Sequence, residues 1–248
     1  YDFSDTDFML TEAGKRGAKV VLVVGARQPR WPECHYPDWS KKTAAGNRQK
    51  KTLELIKKVL ERYKNNSSIW AWQVENEPFA WWFGECDKAD KVFLQQELNL
   101  VKKIDSRPVI FTDSGEWGFW AESLNSADIL GISIYKKAYN TPLGIYLTYP
   151  FPAVSYNLKG KFINKLFFKD KKIIVSELQA EPWLSMKDPR DSLPENQAKT
   201  FSIKEFKDNI DFVRKTGFEE GYLWGIEWWF WMDAKGYPLY LDYAKSLF

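Results

Sequence analysis

The sequence predicts an α/β fold in which a parallel sheet is covered by helices. Three observations carry this expectation: six short β-rich runs, helical stretches between them, and strands that are apolar throughout rather than alternating. Residues 5–16 read as the first helix, with Ser4 and Asp7 at capping-box spacing and Gly17 as its stop. The first strand is 18–25 (AKVVLVVG). Helix 45–63 follows, with Leu53, Ile56, Val59 and Leu60 at helical period. Next come strand 69–75 (IWAWQVE), helix 87–104, strand 108–112 (PVIFT) and a short helical piece near 118–124. The last three strands are 129–135 (ILGISIY), 172–177 (KIIVSE) and 221–227 (GYLWGIE). Helices 157–167 and 202–216 separate them, and a helical piece at 240–248 closes the chain. Segments 138–155 and 178–200 are long loops, read as cleft walls rather than linkers. No internal repeat or linker interrupts the pattern, so residues 1–248 read as one domain.

Composition excludes several classes. Apolar residues at 44% and charged residues at 28% describe a globular chain. A net charge of +3 gives no reason to expect a nucleic-acid partner, and no 18-residue apolar run exists to span a membrane. Cys34, Cys86 and His35 are the whole supply of cysteine and histidine, too few for a four-ligand zinc site. No GxxxxGK or GxGxxG loop is present, and no cofactor is implied. Cys34 and Cys86 follow adjacent strands, so a disulfide is conceivable. Without a visible secretion signal, two free thiols and a cytoplasmic location are the expectation.

The chain has 13 tryptophans. Ten of them fall just past strand ends: Trp31, Trp39, Trp81, Trp82, Trp117, Trp120, Trp183, Trp228, Trp229 and Trp231. In parallel α/β folds the loops after strand C-termini carry function. Flat rings with an edge N–H suit the C–H faces of sugars, so these indoles predict carbohydrate stacking. Three glutamates share those positions: Glu77 ends VENEP, Glu177 ends KIIVSE and Glu227 ends YLWGIE. A facing pair of carboxylates can protonate a leaving oxygen with one member while the other attacks an anomeric carbon or activates water. Glu75 and Glu227 read as network carboxylates, with binding of sugar hydroxyls as the alternative, and Asp113 and Glu116 as loop residues.

Asn76-Glu77-Pro78 after a strand, then Tyr135 ending ISIY, Glu177 about a hundred residues on, and Trp228-Trp229 form an ordered set. That set resembles the clan A glycoside hydrolases, specifically family 5-like retaining cellulases, mannanases and β-glycosidases with a (β/α)8 TIM barrel. The resemblance spans residues 18 to about 232. It implies Glu77 as general acid/base at the fourth strand and Glu177 as nucleophile at the seventh. It further implies Asn76 on the sugar 2-hydroxyl, Tyr135 hydrogen-bonded to the nucleophile, and Trp228 or Trp229 flooring the subsite. The substrate class implied is a β-glucoside or related β-glycoside, as a small glycoside or an oligosaccharide, and retention requires carboxyls about 5–5.5 Å apart.

The chain also departs from that family. Strand 18–25 must be the third, so the sequence predicts a barrel of about six strands, incomplete at the N-terminus. No residue matches the family's second-strand arginine, for which Arg27 or Arg30 is the candidate substitute. Ser133 stands where many family 5 members carry histidine. Trp81 and His35 complete the candidate binding set, with His35 either meeting a sugar hydroxyl or packing among Trp31, Pro32 and Pro37. Open edges at 20–24 and 222–226 predict association into a homo-oligomer. Impaired turnover is expected, and a truncated barrel that binds carbohydrate without cleaving it, or is structural only, stays open beside the enzyme.

Overall fold

The computed structural model describes residues 1–167, 170–185 and 189–248. In chain order the elements are α1 (Ser4–Lys15), β1 (Val20–Val24), α2 (Asp38–Lys41), α3 (Ala45–Tyr63), β2 (Ile69–Val74), α4 (Lys91–Ile104) and β3 (Val109–Ser114). They continue with α5 (Ala121–Ser126), β4 (Ile129–Ile134), β5 (Lys137–Asn140), β6 (Ile145–Thr148), α6 (Ala153–Leu166) and β7 (Lys172–Gln179). A 3-10 turn at Pro189–Asp191 precedes α7 (Pro194–Thr200), α8 (Ile203–Thr216), β8 (Gly221–Trp224), α9 (Ile226–Ala234) and α10 (Leu239–Lys245). Six strands form one sheet in the order β1-β2-β3-β4-β7-β8, so β1 and β8 are its edges. The β1/β2, β2/β3 and β7/β8 pairs are parallel. The fold is of the TIM-barrel type, with six strands where a closed barrel of this kind uses eight.

The chain divides into two compact units. Unit 1 comprises 1–113, 118–130 and 170–172. Its core packs Trp72, Val74 and Phe111 from the strands against Ile56 and Leu60 of α3 and Leu98 and Val101 of α4. Ile56 and Leu60 belong to the apolar stripe that helical period marks on residues 45–63, and each large side chain so buried contributes about 1.5–3 kcal/mol. Unit 2 comprises 114–117, 131–169 and 173–248. Its core is a chain of rings in which Phe206 stacks on Trp229 at 5.5 Å and Trp228 meets Tyr240 edge-on at 4.5 Å. The α8 helix opens with a reciprocal capping box between Ser202 and Glu205 and ends at Gly217, φ 75°.

Several sequence expectations need correction. Ser4 lies inside α1 and caps nothing; Asp7 instead accepts from Arg62 Nε at 2.9 Å and Tyr63 Oη at 2.8 Å, tying α1 to α3. Segment 138–155 is not wholly loop, because β5 and β6 pair there as an antiparallel hairpin. Segment 178–200 contains the end of β7 and α7, while its residues 186–188 lie outside the described residues. The 221–227 run stops as a strand at Trp224. Gly225 adopts φ 141°, and a Cβ there would lie 2.9 Å from the Ala180 carbonyl oxygen, so only glycine fits. The chain then enters α9, and Glu227 is an exposed residue of its first turn rather than a strand-end carboxylate.

Candidate active site

Each unit carries one of the two expected carboxylates. In unit 1, β2 ends in the turn Glu75-Asn76-Glu77-Pro78. Glu75 and Glu77 both have positive φ, 55° and 39°, a region that non-glycine residues adopt only when surroundings impose it. Here they do. The Glu75 carboxylate accepts from the Ala26 and Arg27 amides, Asn76 N donates to Arg27 O at 2.9 Å, and Glu77 N donates to Thr112 Oγ1 at 2.8 Å. Asn76 Oδ1 accepts from Gln73 Nε2 at 3.0 Å, and its Nδ2 donates to Glu33 at 2.9 Å. Among the described residues, one amide N–H of Asn76 is left over from that network. Glu77 is buried.

Glu75 is therefore an anchor, not a sugar ligand by its position. Behind it, Glu97 of α4 brings a second carboxyl that is fully buried. Burial, and then the charge of Glu75, lift Glu97 far above the carboxylate range, so the pair retains a proton. Arg27 is engaged within unit 1. Its guanidinium is buried, ion-paired to Glu33 at 3.3 Å, and donates to the carbonyls of Ala80 at 3.2 Å and Phe83 at 2.8 Å. Burial lifts the Glu33 carboxyl, with Asn76 and Arg27 opposing that effect. Arg30 sits at φ 113°, and its carbonyl lies 3.3 Å from Nε2 of an exposed His35. Cys34 and Cys86 are not free thiols: they form a disulfide that joins the loops after β1 and β2.

In unit 2, Glu177 lies within β7 rather than at its end. The β7/β8 register shifts between Val175 and Leu178, a bulge that alters which way the intervening side chains face. Tyr135, just past β4, donates its hydroxyl to Glu177 Oε2 at 2.7 Å. Trp183 meets Tyr135 edge-on at 5.2 Å. Behind Tyr135 is Glu116, whose carboxyl accepts from Tyr135 N at 3.1 Å and Tyr156 Oη at 2.7 Å. Burial pushes Glu116 up to about 7, against the lowering effect of those hydrogen bonds and of Lys136. Glu116 lies in the turn after β3, as a loop residue, and nothing in its neighbours along the chain shows that Tyr156 of α6 folds over it. Asp113, in unit 1, lies within β3 rather than in a loop and accepts from Trp120 N and Ser123 Oγ at the start of α5.

The indoles separate into two groups. Trp120 is fully buried, and Trp228 and Trp229 lie in the unit 2 core with their N–H groups donated to Gln197 Oε1 and Ala180 O, both at 2.7 Å. Those two belong to α9 and fill space, so they do not floor an open subsite. Trp224 ends β8 and is half-buried. Trp31, Trp39, Trp81, Trp82 and Trp117 are exposed. Among the described residues no cluster of three or more His, Cys, Asp or Glu is arranged to hold a metal, and no helix is long and apolar enough to cross a membrane.

Comparison with known proteins agrees on the fold. The chain is similar to a β-galacturonidase of Eisenbergiella tayi, at 15% identity and TM-score 0.53, over 88% of this chain and 35% of that one. It is also similar to a β-glucuronidase of Ruminococcus gnavus, at 13% identity and TM-score 0.51, over 87% and 34%. A Bacteroides uniformis β-glucuronidase matches at 16% identity and TM-score 0.50, over 73% and 22%. This chain thus spans about a third or less of the length of those structures. No curated protein sequence matches it. The model of the glycosyl hydrolases family 2 TIM barrel domain matches residues 8–227, from α1 to the first turn of α9. That match replaces the family 5 likeness of the motifs, and the chain belongs to the TIM-barrel domain family of the family 2 glycosyl hydrolases.

Proposed function

We propose that this chain is the catalytic barrel of a retaining β-glycosidase. Glu177 attacks the anomeric carbon, its carboxylate oxygen forming a bond as the glycosidic C–O bond breaks. Glu77 gives its proton to the departing oxygen, then removes one from the water that releases the sugar. Asn76 offers its remaining N–H to the sugar, Tyr135 fixes the nucleophile, and Trp224, in place of Trp228 or Trp229, floors the subsite. The observation that carries this reading is the Tyr135 hydroxyl on Glu177 at 2.7 Å, on a bulged strand, in a family 2 barrel.

The names of the structural neighbours bring β-glucuronides and β-galacturonides into the substrate panel beside β-glucosides. Incubation with 2-deoxy-2-fluoro versions of these glycosides, followed by peptide mass spectrometry, is expected to place one sugar adduct on Glu177. Glu177→Gln should abolish both adduct and turnover. An adduct elsewhere, or turnover surviving in Glu177→Gln, would remove the assignment. A second reading, a barrel that binds carbohydrate without cleaving it, is favoured by one finding: the Arg27 guanidinium is engaged inside unit 1 with Glu33, Ala80 and Phe83, and is not available to hold a nucleophile.

A further inference from the structure

The loops after β1 and β2 are joined more heavily than their lengths require. The Cys34–Cys86 disulfide links them covalently, Glu85 N donates to Pro32 O at 2.9 Å, and the Arg27 guanidinium ties Ala80 and Phe83 to the first loop. Gly84 lets the strands of this clamp meet, since a Cβ there would come within 2.9 Å of Glu33 Cγ. The clamp leaves Trp31 at 43% exposure, Trp81 at 68% and Trp82 at 48%. Trp31 leans on Phe83 at 5.7 Å, and Trp81 and Trp82 stand edge to face at 5.9 Å, with the Lys88 ammonium 5.9 Å from the Trp81 ring. Neighbouring exposed rings on linked loops form an apolar surface of the kind that marks binding sites, and each ring contact reduces the freedom lost when a flat ligand stacks there.

The position of the rings says which part of a ligand they meet. Trp81 follows Glu77 by four residues, and the intervening turn is closed by Ala80 N donating to Glu77 O at 2.9 Å. An acid that protonates the departing oxygen stands on the leaving-group side of the bond. We propose that Trp31, Trp81 and Trp82 form a leaving-group platform for a β-linked oligosaccharide, stacking the sugars beyond the cleaved bond. This deepens the glycosidase reading and rests on it for the side of the bond, though not for the binding itself. Pyranose C–H faces match the indole faces, and ring hydroxyls match the indole N–H edges and the ammonium of Lys88. The natural substrate is then a glycan of several sugars rather than a simple glycoside.

The test uses the full chain carrying Glu77→Gln and Glu177→Gln, so that no probe is consumed. Tetramers of β-1,4-linked glucose and β-1,4-linked mannose are titrated against the corresponding methyl β-glycosides, by calorimetry and by tryptophan fluorescence. At least one tetramer should bind tenfold or more tighter than its single-sugar control. Trp81→Ala with Trp82→Ala should erase that difference, while Phe162→Ala, an equally exposed ring on α6, should preserve it. Cys34→Ser with Cys86→Ser should weaken the tetramer severalfold without affecting the methyl glycoside. Absence of tighter tetramer binding, or its survival in the double tryptophan variant, overturns the platform. Tetramer binding without an adduct on Glu177 in the trapping experiment overturns the catalytic reading and leaves the platform standing.

Discussion

In the turn after β2, Glu77 is positioned by its backbone: two residues at positive φ, an amide on Thr112, and Asn76 locked between Gln73 and Glu33. In β7, Glu177 sits on extended backbone, and it is a bulge together with the Tyr135 hydroxyl that directs it. Strained φ values cost of order 1–3 kcal/mol each and persist only where many bonds insist on them. The first carboxylate therefore depends on a buried polar network whose failure is a failure of folding. The second depends on a side-chain contact whose loss leaves the fold intact. The placements of the two carboxylates thus differ in how closely they are tied to folding, and substitutions can sharpen or break that difference.

The largest effect is expected at Arg27. Arg27→Met removes the only cation bonded to buried Glu33 among the described contacts and releases the Ala80 and Phe83 carbonyls. Breaking a buried pair by deleting one partner costs about 3 kcal/mol or more. Urea unfolding should show a loss of that size, and turnover should fall with it because Glu33 no longer steadies Asn76. A stability change below about 1 kcal/mol would mean the turn is held without the network.

Tyr135→Phe should do the reverse. Removing one half-exposed hydroxyl costs about 1 kcal/mol of stability or less, while kcat/KM on an activated aryl β-glycoside should fall about 10- to 100-fold, which is about 1.4–2.7 kcal/mol in the transition state. Equal losses in folding and turnover for this variant would erase the contrast between the two units.

Much of this was legible in the sequence because apolar runs and glycine stops report local physics. The 45–63 helix follows from periodicity, the starts of β2 and β4 from apolar runs, and the helix boundary read at 202 coincides with the N-cap of α8. The misreadings have physical causes too. GYLWGIE is apolar enough for a strand, and only the φ of Gly225 shows that the chain turns into α9 there, moving Trp228 and Trp229 into the core. Ser4 and Asp7 have the spacing of a cap, but Arg62 and Tyr63 compete for the Asp7 carboxylate from 55 residues away. Arg27 could be recognised as a carboxylate partner; that the carboxylate is Glu33 depends on a loop closed by Cys34–Cys86, which spacing alone left undecided.

Glu116 supplies the smallest effect, and one that pH can isolate. Its carboxyl faces Tyr156 of α6, the Tyr135 amide and Lys136, and burial raises it to about 7. In the unfolded chain a glutamate titrates near its ordinary value of about 4.3. Between those two values the folded state holds more proton than the unfolded state, so this group makes stability fall as pH rises, and the fall ends near pH 7. Glu116→Gln keeps an acceptor for both the Tyr156 hydroxyl and the Tyr135 amide but cannot ionise. The melting temperature of the variant minus that of the parent should therefore climb from pH 4.5 to 7 and level off above it. Turnover at pH 5, where the parent already carries the proton, should be nearly unchanged. A difference that stays constant across that range would mean the Glu116 carboxyl is open to solvent, and that Tyr135 is held by its strand alone.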